Sequence, residues 1–161
     1  MEEKALVISV DWFNLEKRPK ELRMNPMKIE FNLDDVLDEV EVIALYEANQ
    51  WSSAQEPKRL MNALRGSHSV VTARLGTKLV GLGNAISDGF LVVYYPHLLV
   101  DSSHWDRGIG KGMMALMQTR YEGFHQQMLT ADSQTIGFYE KLGFTRAGKT
   151  EPMWIYQGDE H

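Results

Sequence analysis

The chain has no cysteine, which excludes disulfides, thiolate metal ligands and a cysteine nucleophile, and is compatible with a reducing compartment. It has no apolar run of bilayer length. The N-terminal run Ala5-Leu6-Val7-Ile8-Ser9-Val10 is too short to span, and it follows Glu2-Glu3, the wrong charge for a signal-peptide n-region. These features predict a cytoplasmic protein with no membrane partner. Positive charge is also scarce: 17 Lys+Arg stand against 22 Asp+Glu, a formal net charge of -5. Nucleic-acid binding needs clustered basic residues to displace counterions, so no nucleic-acid partner is expected. His68, His104, His125 and His161 lie in polar or loop contexts without metal-ligand spacing, and no metal is expected. Repeats, low-complexity segments and Pro/Gly-rich linkers are missing too.

What is present is an ordinary globular composition, 43% hydrophobic and 24% charged over 161 residues, most simply one domain. Residues 1–26, with Pro19 and Pro26 as breakers, read as an appendage of one added strand and a connector, and residues 27–161 as the domain proper. Met27–Phe31 alternates as a strand. Val36, Leu37, Val40, Ile43 and Ala44 then recur at helical spacing behind a cap at Asn32 or Asp34. Glu56–Leu64 reads as a second helix with proline in its first turn, stopped at Gly66. Strands are predicted at Ser69–Arg74, Lys78–Asn84 and Phe90–Val100, joined by Gly76-Thr77 and Asp88-Gly89 turns. A helix to about Glu122, a strand near Gln127–Ala131, a helix Gln134–Leu142 and a last strand around Met153–Tyr156 complete the order.

The most informative stretch is Arg107-Gly108-Ile109-Gly110-Lys111-Gly112, between the apolar run Leu98-Leu99-Val100 and a helical segment. A glycine-rich turn there bares backbone N–H groups at the positive end of a helix dipole, a place for phosphates. The dinucleotide fingerprint G-x-G-x-x-G would need glycine where Met113 stands. The Walker pattern would need glycine at Trp105 and a hydroxyl at Gly112. The remaining pattern, R-x-x-G-x-G after a strand, resembles the acetyl-CoA pyrophosphate loop of the GNAT superfamily of N-acetyltransferases. Downstream, Ile136-Gly137-Phe138-Tyr139-Glu140-Lys141-Leu142-Gly143-Phe144 is similar to that superfamily's FYEKLGF signature.

The resemblance implies an α+β GNAT (acyl-CoA N-acyltransferase) fold, a mixed twisted β-sheet flanked by helices with splayed fourth and fifth strands. Pro96, which cannot donate to a ladder, marks an edge, a bulge or a parting of strands in the fourth. The implied activity is acetyl-CoA-dependent transfer to a primary amine of a small molecule or peptide, and a homodimer is compatible with it. The pyrophosphate would lie on Arg107 to Gly112 and the pantetheine arm along Leu98, Leu99 and Val100. Asp132 would bond the arm, cap the next helix, or both.

Acyl transfer to an amine must remove a proton, stabilise an oxyanion and protect the leaving thiolate. By resemblance Tyr139 donates to the sulfur. His97, on the fourth strand beside Pro96, is the candidate base; strand alternation sets it on one face with Tyr95 and Leu99, where it is equally explained as a hydrogen-bonded sheet residue. Asp101 is the rival. Trp51, Asn84 and Asp88 are the candidate acceptor-site residues, although Asp88-Gly89 is also sufficiently explained as a turn and Trp51 as a loop anchor. The competing class is a non-catalytic acyl-CoA-binding regulatory module, which would keep the glycine loop without needing Tyr139.

Overall fold

The computed structural model describes residues 28–155, so the predicted appendage 1–26 lies outside the described residues. The element order is β1 (Ile29–Leu33), α1 (Glu39–Ala48), α2 (Pro57–Arg65), β2 (Ser69–Leu75), β3 (Lys78–Ser87), β4 (Val92–Val100), α3 (Ile109–Arg120), β5 (Gln126–Met128) and α4 (Ile136–Glu140). The sheet runs β1-β2-β3-β4-β5. Neighbours are antiparallel up to β4, and β5 is parallel to β4, which makes the sheet mixed as expected. The last strand anticipated around Met153–Tyr156 is not observed over Met153–Ile155, and Tyr156 lies outside the described residues.

Each face of the sheet carries its own core. On one, Val70, Leu79, Leu82 and Leu99 pack against Val42, Leu45 and Tyr46 of α1 and Leu60, Met61 and Leu64 of α2. On the other, Val71, Ala73, Val80, Ala85, Val93 and Tyr95 pack against Ile109, Met113, Met114 and Met117 of α3. The α2 helix forms where the sequence places it, with proline in its first turn and Gly66 at its C-cap.

The α1 helix starts later than the apolar spacing suggested. Its cap is Asp38, whose carboxylate accepts from Glu41 N, and the buried positions are Val42, Leu45 and Tyr46. Val36 and Val40, assigned to the inward stripe from spacing, are 87% and 77% exposed. The segment is apolar around much of its circumference, so spacing alone does not fix which face turns inward. Asp34, one of the expected caps, instead adopts φ 56° and accepts from Ser69 Oγ and Val70 N, tying the end of β1 to β2.

Arg74 fastens α1 to the β2–β3 hairpin. Its guanidinium reaches Glu41 at 3.0 Å, Asp35 at 3.3 Å and the Thr77 carbonyl at 2.7 Å, with the side chain only 18% exposed. Removing one member of such a shielded group leaves charges without partners. Arg74→Met is expected to lower the unfolding free energy at neutral pH by about 2 kcal/mol, below the value for a fully buried pair because water still reaches the carboxylates. Urea denaturation with an unchanged m-value checks this.

Candidate functional site

A parting between β4 and β5 organises the site. Their pairing runs Val92↔Gln126, Val93↔Gln127 and Tyr94↔Met128 and stops there, while β4 continues to Val100. Against β3 the register moves from Ile86↔Tyr94 to Asn84↔His97, so Tyr95 and Pro96 together oppose Ala85. This is a β-bulge, and the absent N–H of Pro96 lies within it. The extra residue also reverses the alternation: Tyr95 packs on the α3 side, whereas Leu99 packs against α1 and α2 and His97 meets Tyr46 of α1. The expectation that Tyr95, His97 and Leu99 share a face is thereby corrected.

Beyond the bulge the ladder fixes which backbone groups enter the gap. Asp101 N donates to Val80 O at 2.9 Å. In an antiparallel ladder this places Leu99 opposite Leu82 as a bonded pair, and turns the N–H and C=O of Leu98 and Val100 away from β3. Of the expected trio, therefore, Leu98 and Val100 face the gap and Leu99 is committed to β3. Trp105 Nε1 donates to the Val100 carbonyl at 2.9 Å.

At the end of this strand α3 begins. Gly108, at φ 75°, lets the chain turn into the helix. The first helical bond runs from Gly112 N to Gly108 O, so the N–H groups of Ile109, Gly110 and Lys111 have no acceptor among the described residues. No acidic residue occupies the first turn, and Arg107 and Lys111 are exposed with no ion pair among the described residues. Free N–H groups, a helix dipole and two cations suit a pyrophosphate. The glycines serve a further purpose that the motif did not reveal. A Cβ on Gly110 would lie 3.2 Å from Phe138 Cζ, and one on Gly112 would overlap the Phe31 ring. The two glycines seat the helix against α4 and β1.

The α4 helix brings Tyr139. Asp132 Oδ1 accepts from Gln134 N at 2.7 Å, and the Asp132 carbonyl accepts from Thr135, which sets the turn into α4. The Tyr139 ring meets Phe138 and Phe144 edge-on, and Phe144 meets Tyr95 across the α3-side core. Burial raises the Tyr139 pKa, so its hydroxyl stays protonated at neutral pH.

On the α1 and α2 side, His97, Trp51 and Asn84 come together. Tyr46, in the last turn of α1, places its hydroxyl 2.7 Å from His97 Nδ1, a contact that sequence spacing does not reveal. Trp51 stands edge-on to the rings of both His97 and Tyr46 at centroid separations of 5.0 and 5.9 Å. Asn84, the cross-strand partner of His97, is 4% exposed; its amide donates to Ser67 Oγ, and its Oδ1 has no hydrogen-bond partner among the described residues. Asp88 is elsewhere engaged, its carboxylate accepting from the N–H groups of Phe90, Leu91 and Val92, which accounts for it as a turn residue. Asp101 is paired with Lys78 at 2.8 Å and accepts from Ser103, and those bonds hold its carboxyl well below the usual range, which makes it a poor base. Among the described residues no group of three or more metal-ligating side chains occurs, and no helix is long and apolar enough to cross a membrane.

Comparison with known proteins agrees with this architecture. The family model of the acetyltransferase (GNAT) domain matches residues 34–152, and the chain belongs to that family. A GNAT-family acetyltransferase from Streptococcus pneumoniae is 26% identical, with a TM-score of 0.71 over 81% of this chain and 100% of that one. A candidate acetyltransferase from Deinococcus radiodurans is also 26% identical, at a TM-score of 0.70 over 80% and 88%. Glucosamine-6-phosphate N-acetyltransferase from Arabidopsis thaliana shares the fold at 18% identity, with a TM-score of 0.59 over 79% and 98%. No curated protein matches the chain.

The Gly112–Phe31 contact yields a double-mutant test. Gly112→Ala is expected to destabilise the protein by about 1 kcal/mol or more through overpacking. In a Phe31→Ala background the same change should stabilise, by up to about 1 kcal/mol, since alanine outranks glycine within a helix. Thermal unfolding of the four proteins decides it.

Proposed function

We propose that this acetyltransferase uses acetyl-CoA to acetylate a primary amine of a small molecule or peptide by direct transfer, acting in the cytoplasm. The observation that carries the reading is the continuity of two features: backbone groups facing the β4–β5 gap, and the uncapped N-terminus of α3 at the end of that strand. A ligand with an amide-bearing arm and a pyrophosphate would use both. Bound acetyl-CoA would supply an acetyl group activated as a thioester.

The chain's own residues divide the work. The N–H groups of Ile109, Gly110 and Lys111, with the Arg107 guanidinium and Lys111 ammonium, hold phosphate oxygens. Gly108 and Gly112 shape that turn, and Leu98 and Val100 align the arm. Tyr139 keeps a proton on Oη for the leaving sulfur, because its pKa is raised by burial. Trp51 bounds the acceptor side, and the orphaned Asn84 Oδ1 is an acceptor for an amine N–H. His97 lies beside both. The alternative, a non-catalytic acyl-CoA-binding module, shares the gap and the loop but gives Tyr139 no task.

The deciding experiment incubates the protein with acetyl-CoA and a panel of primary amines and small peptides, following free CoA release and product mass. Amine-dependent CoA release with an acetylated product is expected. Binding of acetyl-CoA without product from any amine would favour the module. Arg107→Ala should weaken acetyl-CoA binding by about 1.5–3 kcal/mol in calorimetry, the worth of a charge-assisted bond. Tyr139→Phe should bind normally and lower kcat by about 10²-fold.

A further inference from the structure

The sheet face that α1 and α2 cover is left open towards one end. Ala85, Val93 and Tyr95 belong to the α3-side core, so their neighbours Ile86 and Tyr94 point to the opposite face. Met128 points the same way, because Gln127 beside it turns to the α3 side, where its amide oxygen accepts from Tyr95 Oη and its amide nitrogen donates to the Tyr121 carbonyl. The ladder sets Ile86 opposite Tyr94 and Tyr94 opposite Met128, which makes one row across β3, β4 and β5. Spanning three strands, the row is about 10 Å wide. Leu82 and Leu99, further along the same face, are buried under the two helices, whereas Ile86 and Met128 are 56% and 44% exposed. At the border between the covered and the open part lie Asn84 and His97, with Trp51 against His97. Single exposed apolar residues are ordinary; an aligned row of them running on from a candidate site is not.

We infer that Ile86, Tyr94 and Met128 form the specificity surface of the acceptor side, and that the amine it takes is carried on an uncharged apolar body about the size of one ring. The inference rests on the acetyltransferase reading for the reaction and adds the class of acceptor. Position identifies the occupant. Tyr94↔Met128 is the last pair before β4 and β5 part, so a molecule lying on the row ends at the mouth of the gap. The row is also held in shape: the Tyr94 hydroxyl meets Thr130 Oγ1 at 3.0 Å, where the strands separate, and Gln126 Nε2 reaches Met128 Sδ at 3.6 Å. Its chemistry is uniform. None of Ile86, Tyr94, Met128 and the flanking pair Val92↔Gln126 carries a formal charge, so the row offers a phosphate or carboxylate no counter-charge and would strip water from it. An apolar body has no such cost there and gains by leaving water. Polar recognition is left to the amine end, where Asn84, two residues before Ile86 on β3, carries its orphaned Oδ1.

Three amines that differ only in the group on the second carbon test this: 2-phenylethylamine, ethylamine and 2-aminoethyl phosphate. In wild-type protein with acetyl-CoA, kcat/KM should be higher for 2-phenylethylamine than for ethylamine by about tenfold, which is what one-sided burial of a ring contributes, and lowest for the phosphate. In the double variant Ile86→Gln/Met128→Gln the phenyl-to-ethyl ratio should fall to about one, through KM and not kcat. Val36→Gln, which changes an exposed apolar residue ahead of α1, should leave the ratio as in the wild type. A wild-type ratio near one, a preference for the phosphate, or a ratio unmoved in the double variant overturns the inference. Binding supplies a readout that does not need turnover. In protein labelled with 13C-methyl methionine, the Met128 methyl signal, assigned by its loss in Met128→Gln, should shift with 2-phenylethylamine and not with ethylamine. If no amine is acetylated, the acetyltransferase reading fails and the methyl signal alone decides the surface: an unmoved signal overturns it.

Discussion

The bulge at Tyr95-Pro96 is the constraint on which the rest of the site depends. A strand with a missing N–H and an extra residue cannot keep both neighbours in register. Here it keeps β3, which resumes at Asn84↔His97, and gives up β5 after Tyr94↔Met128. The same insertion turns Tyr95 to one face and His97 to the other. One local irregularity thus opens the gap, aims the backbone groups of Leu98 and Val100 into it, and delivers His97 to the face covered by α1 and α2.

The two faces of the sheet then carry different duties. The α3 side holds the helix terminus with its free N–H groups together with the aromatic group of Tyr95, Phe144 and Tyr139. The α1 and α2 side holds the polar group of Tyr46, His97 and Asn84, with Trp51 against it. Arg74 anchors this second side by pairing with Glu41, so the position of Tyr46 on α1 is set in part by an ion pair with the hairpin. Packing on one face and electrostatics on the other converge on the same short stretch of β4.

Most of the architecture was legible in the sequence, because its helices and strands carry strong punctuation: proline opening α2, Gly66 closing it, and Gly76-Thr77 between β2 and β3. The α3 loop was legible from glycine spacing. Other features were not. The face of α1 was misread because apolar residues encircle it, so Val36 and Val40 looked buried. The alternation of β4 was misread because period-2 counting assumes no bulge, even though Pro96 flagged one. The bond from Tyr46 was not legible either, since nothing in the sequence relates position 46 to position 97 until the hydroxyl is traced to the imidazole. The packing role of Gly110 and Gly112 needed Phe138 and Phe31 in space, far away in sequence.

The two cores also differ in when they become available during synthesis. The core between the sheet and the first two helices is built from residues Val42 to Leu99, a nearly continuous stretch, whereas the opposite core needs Ile109 to Tyr121 and draws in Phe144. A domain made from the N-terminus onward can therefore pack Tyr46, Trp51 and His97 together before α3 has left the ribosome. The later helix closes on a sheet whose other face is already covered. Slippage of β4 relative to β3 at that stage would bury His97 on the wrong side, so the bulge register acts as an early checkpoint in assembly as well as a feature of the finished site.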